Sequence, residues 1–240
     1  MCIYLIKMLV ASLVDKTEKL YSSFNKIVNY DKIIKLSITK SNLTEIPDMI
    51  HNLTNLQELN CIGNRLNSLP NLFSYLTNLQ YVNFSGNNLT LLPESICDLT
   101  NLKQLYCTNN KLTSLPESID KLINLEILCC YNNQITIIPE SIHNMINLKK
   151  IYCFNNKLEY LPELIGNLIK LKELNCYNNK IIVIPDSIIN LKNIEELNYD
   201  DHIKLSPQQE RYINWIRSNK KTFFDEFYDD TLIKYAGKVD

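Results

Sequence analysis

Glycine is scarce in this chain of 240 residues, and Gly63 and Gly86 stand alone beside turns, so there is no glycine-rich loop to cradle a phosphate. Histidine is scarcer still. His51, His143 and His202 lie far apart, and none belongs to a set of nucleophile, base and orienting group. An excess of charge of one sign is missing too. With 25 basic and 26 acidic residues the formal net charge is -1, so no overall field draws nucleic acid or an anionic membrane surface. Long apolar runs are absent as well. The run within Met1–Val14 is broken by Lys7 and falls short of the roughly 20 residues of a membrane span, which favours an amphipathic end-cap over a cleaved leader. No Gly/Ser/Pro-rich stretch marks a linker, and one continuous domain is expected.

What the chain does have is a period. The run Asn-Leu-x-x-Leu-x-Cys-x-x-Asn-x-Leu-x-x-Leu-Pro-x-x-Ile-x-x-Leu recurs every 23 residues. Full copies start at Asn55, Asn78, Asn101, Asn124, Asn147 and Lys170, a first copy starts at Lys32, and a degenerate last copy starts at Asn193. Seven prolines, from Pro47 to Pro185, mark one position in the period.

Within a copy, Leu59 and Cys61 alternate with Glu58, Asn60 and Ile62, which is the pattern of a short strand with one buried face. Stacked copies then build one parallel sheet. Asn64, Asn87, Asn110, Asn133, Asn156 and Asn179 stand where the chain leaves the strand, and a buried amide there satisfies turn backbone that no ladder reaches. After the proline, apolar residues three apart, such as Ile96 and Leu99, suit a short helical or 3-10 segment on the outer side. Asp48, Glu94, Glu117, Glu140, Glu163 and Asp186 directly follow their prolines, where exposed N–H groups favour a negative side chain.

This pattern resembles the leucine-rich repeat, in the short intracellular type with Leu-Pro-x-x-Ile in its second half, as in Ras-suppressor-like and Scribble-like proteins. The resemblance covers roughly residues 32 to 205, and similar Asn-, Cys- and Tyr-rich copies occur in leucine-rich proteins of giant amoeba-infecting viruses and of amoebae. It implies an α/β solenoid, a curved right-handed superhelix with a parallel sheet on its concave face and short helical segments on its convex face. It also implies a non-catalytic module that binds a protein or peptide.

Because each turn touches only its neighbours, both ends need caps. Residues 1–31 are expected to form an N-terminal helical cap, 32–205 the repeats, and 206–240 a C-terminal helical cap. Asp15 and Glu18 start the first helix, with Leu20, Phe24, Ile27 and Val28 on one face. Ser206, Pro207 and Gln209 start the second, by a capping box. Phe223, Phe224, Phe227 and Tyr228 in the tail either extend this cap or dock a partner.

Cys61, Cys107, Cys130, Cys153 and Cys176 share one inward position. A line of thiols roughly 4.8 Å apart does not converge as zinc ligands must, so they are expected to be reduced core residues, with no metal and no cofactor. Reduced thiols favour a cytoplasmic location, which is the host's cytoplasm for a viral protein. Cys129 falls on the outward position and is expected to be reachable.

The candidate binding face is the outward side of the strands. Tyr106, Cys129, Tyr131, Lys150, Tyr152, Phe154, Asn175 and Tyr177 stand there, and these aromatics contribute nothing to the core. Mutual stacking of the rings is the alternative. A monomer with a protein or peptide partner and no membrane is expected. Nucleic acid is the disfavoured rival, through the rings and Lys103, Lys149, Lys150 and Lys172, and an adaptor with effector-recruiting terminal helices is a third reading.

Overall fold

A computed structural model describes residues 30–218. Its backbone forms eight strands of three residues each: β1 (Lys35–Ser37), β2 (Glu58–Asn60), β3 (Tyr81–Asn83), β4 (Gln104–Tyr106), β5 (Ile127–Cys129), β6 (Lys150–Tyr152), β7 (Glu173–Asn175) and β8 (Glu196–Asn198). They lie in one parallel sheet in sequence order, each residue paired with the one 23 positions on, as Leu105 with Leu128. The repeat has become a solenoid. Its return path is 3-10 helix throughout. Pro47, Pro93, Pro139 and Pro185 directly precede the segments Asp48–Asn52, Glu94–Asp98, Glu140–Asn144 and Asp186–Asn190. Proline's fixed φ suits this entry, and its missing N–H is one that the start of a helix leaves unused anyway.

The core is a column of repeat-equivalent side chains. Leu59, Val82, Leu105, Leu128, Ile151 and Leu174 are fully buried along the sheet, as are Leu53, Leu76, Leu99, Leu122 and Leu168 behind it. The five inward thiols are buried with them. Those of Cys107, Cys153 and Cys176 donate weakly to the carbonyls of Cys129, Asn175 and Asn198. Loss of hydration pushes the Cys61, Cys130 and Cys176 thiols up to about 12, which keeps them protonated.

The turn asparagines do what their position requires. The Asn133 amide donates to the carbonyls of Cys107 and Cys130, both at 3.0 Å, and its oxygen accepts from Leu112 N–H at 3.0 Å. Each such side chain therefore ties its own turn to the one before. Asp48, Glu94, Glu140 and Asp186 stand in the first turns of their 3-10 segments, as expected. Glu94 and Glu140 bond forward to the N–H groups of Glu117 and Glu163, one repeat on, and none caps its own short helix.

A second asparagine series was not singled out from the sequence. Asn109, Asn132, Asn155 and Asn178 have φ of 52 to 54°, the left-handed region, and the amides of the last three each donate to the side-chain oxygen of the preceding one at 2.6 to 2.8 Å. Gly63 and Gly86 hold the same position in earlier repeats with φ of 67°. Glycine and asparagine are the residues that enter this backbone region most readily, and Lys40 adopts it in the first repeat with φ of 50°. The two lone glycines are thus parts of the repeat.

At the C-terminal end the chain leaves the solenoid after β8. Asp200 there accepts from the N–H groups of Asn178 and Asn179 at 2.8 and 3.0 Å, bonds that backbone carbonyls supply one repeat earlier. Helix α1 (Pro207–Ser218) then covers the last turn with Ile213 and Ile216. The expected capping box is present. Ser206 N–H donates to Gln209 Oε1 at 2.9 Å, and Gln209 N–H donates to Ser206 Oγ at 3.3 Å. Gln209 also reaches across to the Ile184 carbonyl at 2.9 Å, fastening the helix to the repeats. The expected N-terminal helix over 15–28 and the aromatic tail from Lys220 lie outside the described residues.

Candidate functional site

The pleat places three outward columns on the sheet, and register makes each a ladder. The first runs Tyr81, Gln104, Ile127, Lys150 and Glu173. The second runs Asn83, Tyr106, Cys129, Tyr152 and Asn175. The third, just past the strand ends, runs Ser85, Thr108, Tyr131, Phe154 and Tyr177. All eight residues singled out from the sequence therefore stand in these outward columns, but they are not equally available.

The third column carries the most accessible rings. Tyr177 is 54% exposed. Phe154 and Tyr131 are half-buried and stack on each other, with ring centroids 4.3 Å apart and planes 9° from parallel. Beneath Tyr131 lies the buried Thr108, whose side chain is hydrogen-bonded to the phenol. Desolvation nonetheless raises that phenol above its ordinary range. Mutual stacking, the alternative weighed from sequence, is thus real for one pair.

In the second column Tyr152 donates to Glu173, whose other oxygen accepts from Lys150 Nζ at 2.7 Å. Desolvation and the neighbouring carboxylate both hold the Tyr152 phenol protonated far above its normal range. Tyr152 is consequently fixed in place. Tyr106 leans on Tyr81, with centroids 5.5 Å apart, and its hydroxyl donates to Gln104. Asn175 spends its side-chain oxygen on Tyr177 N–H at 3.2 Å.

Cys129 corrects the sequence reading. It does face outward, but it is only 4% exposed, because its register partners on either side are Tyr106 and Tyr152 and their rings roof the thiol. Burial raises it far above the usual thiol range, so it is neither reachable nor nucleophilic.

The lysines offered for phosphate contacts are mostly engaged. Lys149 pairs with Glu126 at 2.8 Å, Lys150 with Glu173, and Lys172 with Glu195 at 2.7 Å. Each pair joins residues 23 apart or one strand over, a signal that was present in the sequence and went unused. With their charges answered from the next strand, three of the four supply no net positive surface for a phosphate backbone.

Among the described residues no group of three or more His, Cys, Asp or Glu is placed to hold a metal ion, and no helix is long and apolar enough to cross a membrane. His51 and His143 each contact a backbone carbonyl three residues back on the convex side. His202 takes the turn-asparagine position of the last repeat and meets the Ile181 carbonyl at 2.9 Å.

Comparison with known proteins agrees with the geometry. A profile of the leucine-rich repeat region matches residues 71–160, and one of the single leucine-rich repeat matches 170–191. No curated protein matches the sequence. Among solved structures, a leucine-rich repeat protein of Leptospira interrogans is similar, with TM-score 0.73 and 25% identity over 87% of this chain and 57% of that one. The functional domain of InlJ from Listeria monocytogenes, which includes a cysteine ladder, has TM-score 0.60 and 26% identity over 71% of this chain and 36% of that one. The Arabidopsis receptor kinase HAESA, solved with the peptide hormone IDA and a co-receptor, has TM-score 0.65 and 32% identity over 71% of this chain and 30% of that one. The chain thus spans little more than half the length of the first of these.

Proposed function

We propose that this chain, which is a leucine-rich repeat protein, is a non-catalytic interaction module that binds a protein or peptide on its concave sheet, around Tyr131, Phe154 and Tyr177. The observation that carries the reading is the third outward column. Large rings stand there partly or largely exposed at consecutive repeats, on a sheet whose folding is already secured by the residues on its other side. Exposed aromatics clustered beside few uncompensated charges are what interface hot spots are made of. The likeness to a receptor solved with a peptide hormone supports the same class of partner. A reducing, cytoplasmic compartment accords with seven described cysteines that are all free thiols.

The test uses the full chain as bait. Partners recovered by the wild type are titrated against Tyr177→Ala, Phe154→Ala and the convex Glu117→Ala. The tyrosine and phenylalanine variants should each weaken binding by about 2 kcal/mol or more, and Glu117→Ala should not. Partners that follow Glu117 and ignore both rings would move the working surface to the convex side.

A further inference from the structure

The concave charges form pairs between adjacent strands, and the pairing leaves a remainder. Lys35 is matched by Glu58 at 2.5 Å, Lys149 by Glu126, Lys150 by Glu173 and Lys172 by Glu195. Lys103 stands between Gln80 and Glu126 in the column that precedes the strands, and Glu126 is already taken by Lys149 from the far side. Among the described residues no carboxylate lies within ion-pair distance of Lys103.

The same lysine lines a hollow of about 290 Å³ with Gln57, Glu58, Gln80, Tyr81 and Gln104. Glu58 is the only acid in that lining, and its charge is met by Lys35. Backbone groups of Gln57 and Gln80 are committed to the sheet, whereas neither side-chain amide has a hydrogen-bond partner among the described residues. The hollow thus offers one ammonium without an ion-pair partner and, on its N-terminal side along the column, the idle amides of Gln80 and then Gln57. That is a donor set for a single carboxylate, in a place the protein's own acids do not fill.

Resting on the reading of the concave face as a peptide-binding surface, we propose that Lys103, with Gln57 and Gln80, anchors an acidic side chain of an extended peptide whose apolar or aromatic residue reaches Phe154 and Tyr177. The two anchor points set the spacing. Lys103 and Phe154 are five residues apart along the strand direction and two strands apart across it, which is roughly 19 Å at about 3.3 Å per residue and 4.8 Å per strand. An extended chain covers that in about six residues. The partner is therefore a segment with Glu or Asp about six positions from Phe, Leu or a similar residue. The paired charges between the anchors select against further charge along the way.

The probe is a set of fluorescein-labelled decapeptides with blocked termini, built of serine and threonine around one Glu and one Phe six positions apart. Companions carry Gln or Lys for Glu, Ala for Phe, or a three-position spacing, and binding is followed by fluorescence polarisation. The Glu peptide should bind wild type about five- to tenfold tighter than the Gln peptide, as one charge-assisted contact gives. That ratio should fall to about one in Lys103→Gln, and Lys103→Glu should prefer the Lys peptide. A Glu/Gln ratio that survives Lys103→Gln overturns the anchor, and so does a set in which no peptide binds. Melting curves of both variants should match wild type, since this ammonium pairs with nothing in the fold. The recovered natural partner separates this inference from the reading beneath it. Sensitivity to Tyr177→Ala without sensitivity to Lys103→Gln defeats the anchor alone, whereas indifference to every concave variant defeats both.

Discussion

Tyr131 and Phe154, equivalent residues of successive repeats, lie face to face with their centroids 4.3 Å apart. One face of each ring is thereby used inside the protein. A partner meets their edges and the open side toward Tyr177. Tyr131→Ala and Phe154→Ala should accordingly lower stability as well as affinity, and a double-mutant cycle on urea melts should give a coupling of about 0.5–1.5 kcal/mol. Strictly additive effects would mean the stack is incidental to folding.

Asn133→Ala removes the bonds donated to the Cys107, Cys130 and Tyr131 carbonyls and the one accepted from Leu112 N–H, so it should cost about 1–3 kcal/mol. Asn133→Asp should be no milder, because a carboxylate accepts where these carbonyls need a donor. A denaturant midpoint like that of wild type for either variant would remove the structural account of this ladder.

Gly166 lies in the 3-10 segment Ile165–Asn167, where an added Cβ would stand 2.0 Å from the Ser187 carbonyl oxygen. Backbone cannot yield there without parting two turns, so Gly166→Ala should destabilise by about 1–3 kcal/mol. Gly86→Asn provides the contrast. Its backbone already has the φ at which Asn109 and Asn132 are at ease, and its added Cβ would have 3.5 Å of room, so the cost should stay below about 1 kcal/mol. Equal melting temperatures for Gly166→Ala and wild type would contradict the close approach.

Buried thiols and phenols predict the alkaline limit of the fold. Burial raises Cys61, Cys130 and Cys176 from 9.0 to about 12, and Tyr106 and Tyr212 from 10.0 to about 12. A raised pKa means the folded state keeps a proton that the unfolded chain gives up. That stability is whole below pH 9 and drains away between pH 9 and 12. Melting temperatures should fall across this window, earlier than in a Cys61→Ala, Cys130→Ala background. In a Cys2→Ser protein, which leaves only described thiols, a disulfide reagent at pH 8 should find none until denaturant is added. Rapid labelling of one thiol in the native protein would show that the rings over Cys129 open.

The repeat made most of this architecture legible, because one period fixes strand, turn and return path together. Leu59, Asn64 and Pro70 each declare a role by recurring at one offset. The capping box at Ser206 and Gln209 was equally plain, since both halves of that bond lie within four residues. Cys129 was misread for a physical reason. The pleat says which face a side chain takes, but its cover comes from Tyr106 and Tyr152, one repeat to either side, and exposure is a property of neighbours rather than of alternation. The charge pairs and the second asparagine series were missed likewise, although comparing residues 23 apart for opposite charge or for shared Gly/Asn usage exposes both.

The place where the chain leaves the array has a further consequence. Asp200 replaces two backbone acceptors with one carboxylate, and α1 is fastened by Gln209 to the turn beside it. Everything needed to end the stack therefore travels with the final segment and depends on no repeat farther back. Gene segments encoding whole 23-residue units can then be duplicated or lost upstream while the same terminus closes arrays of any length.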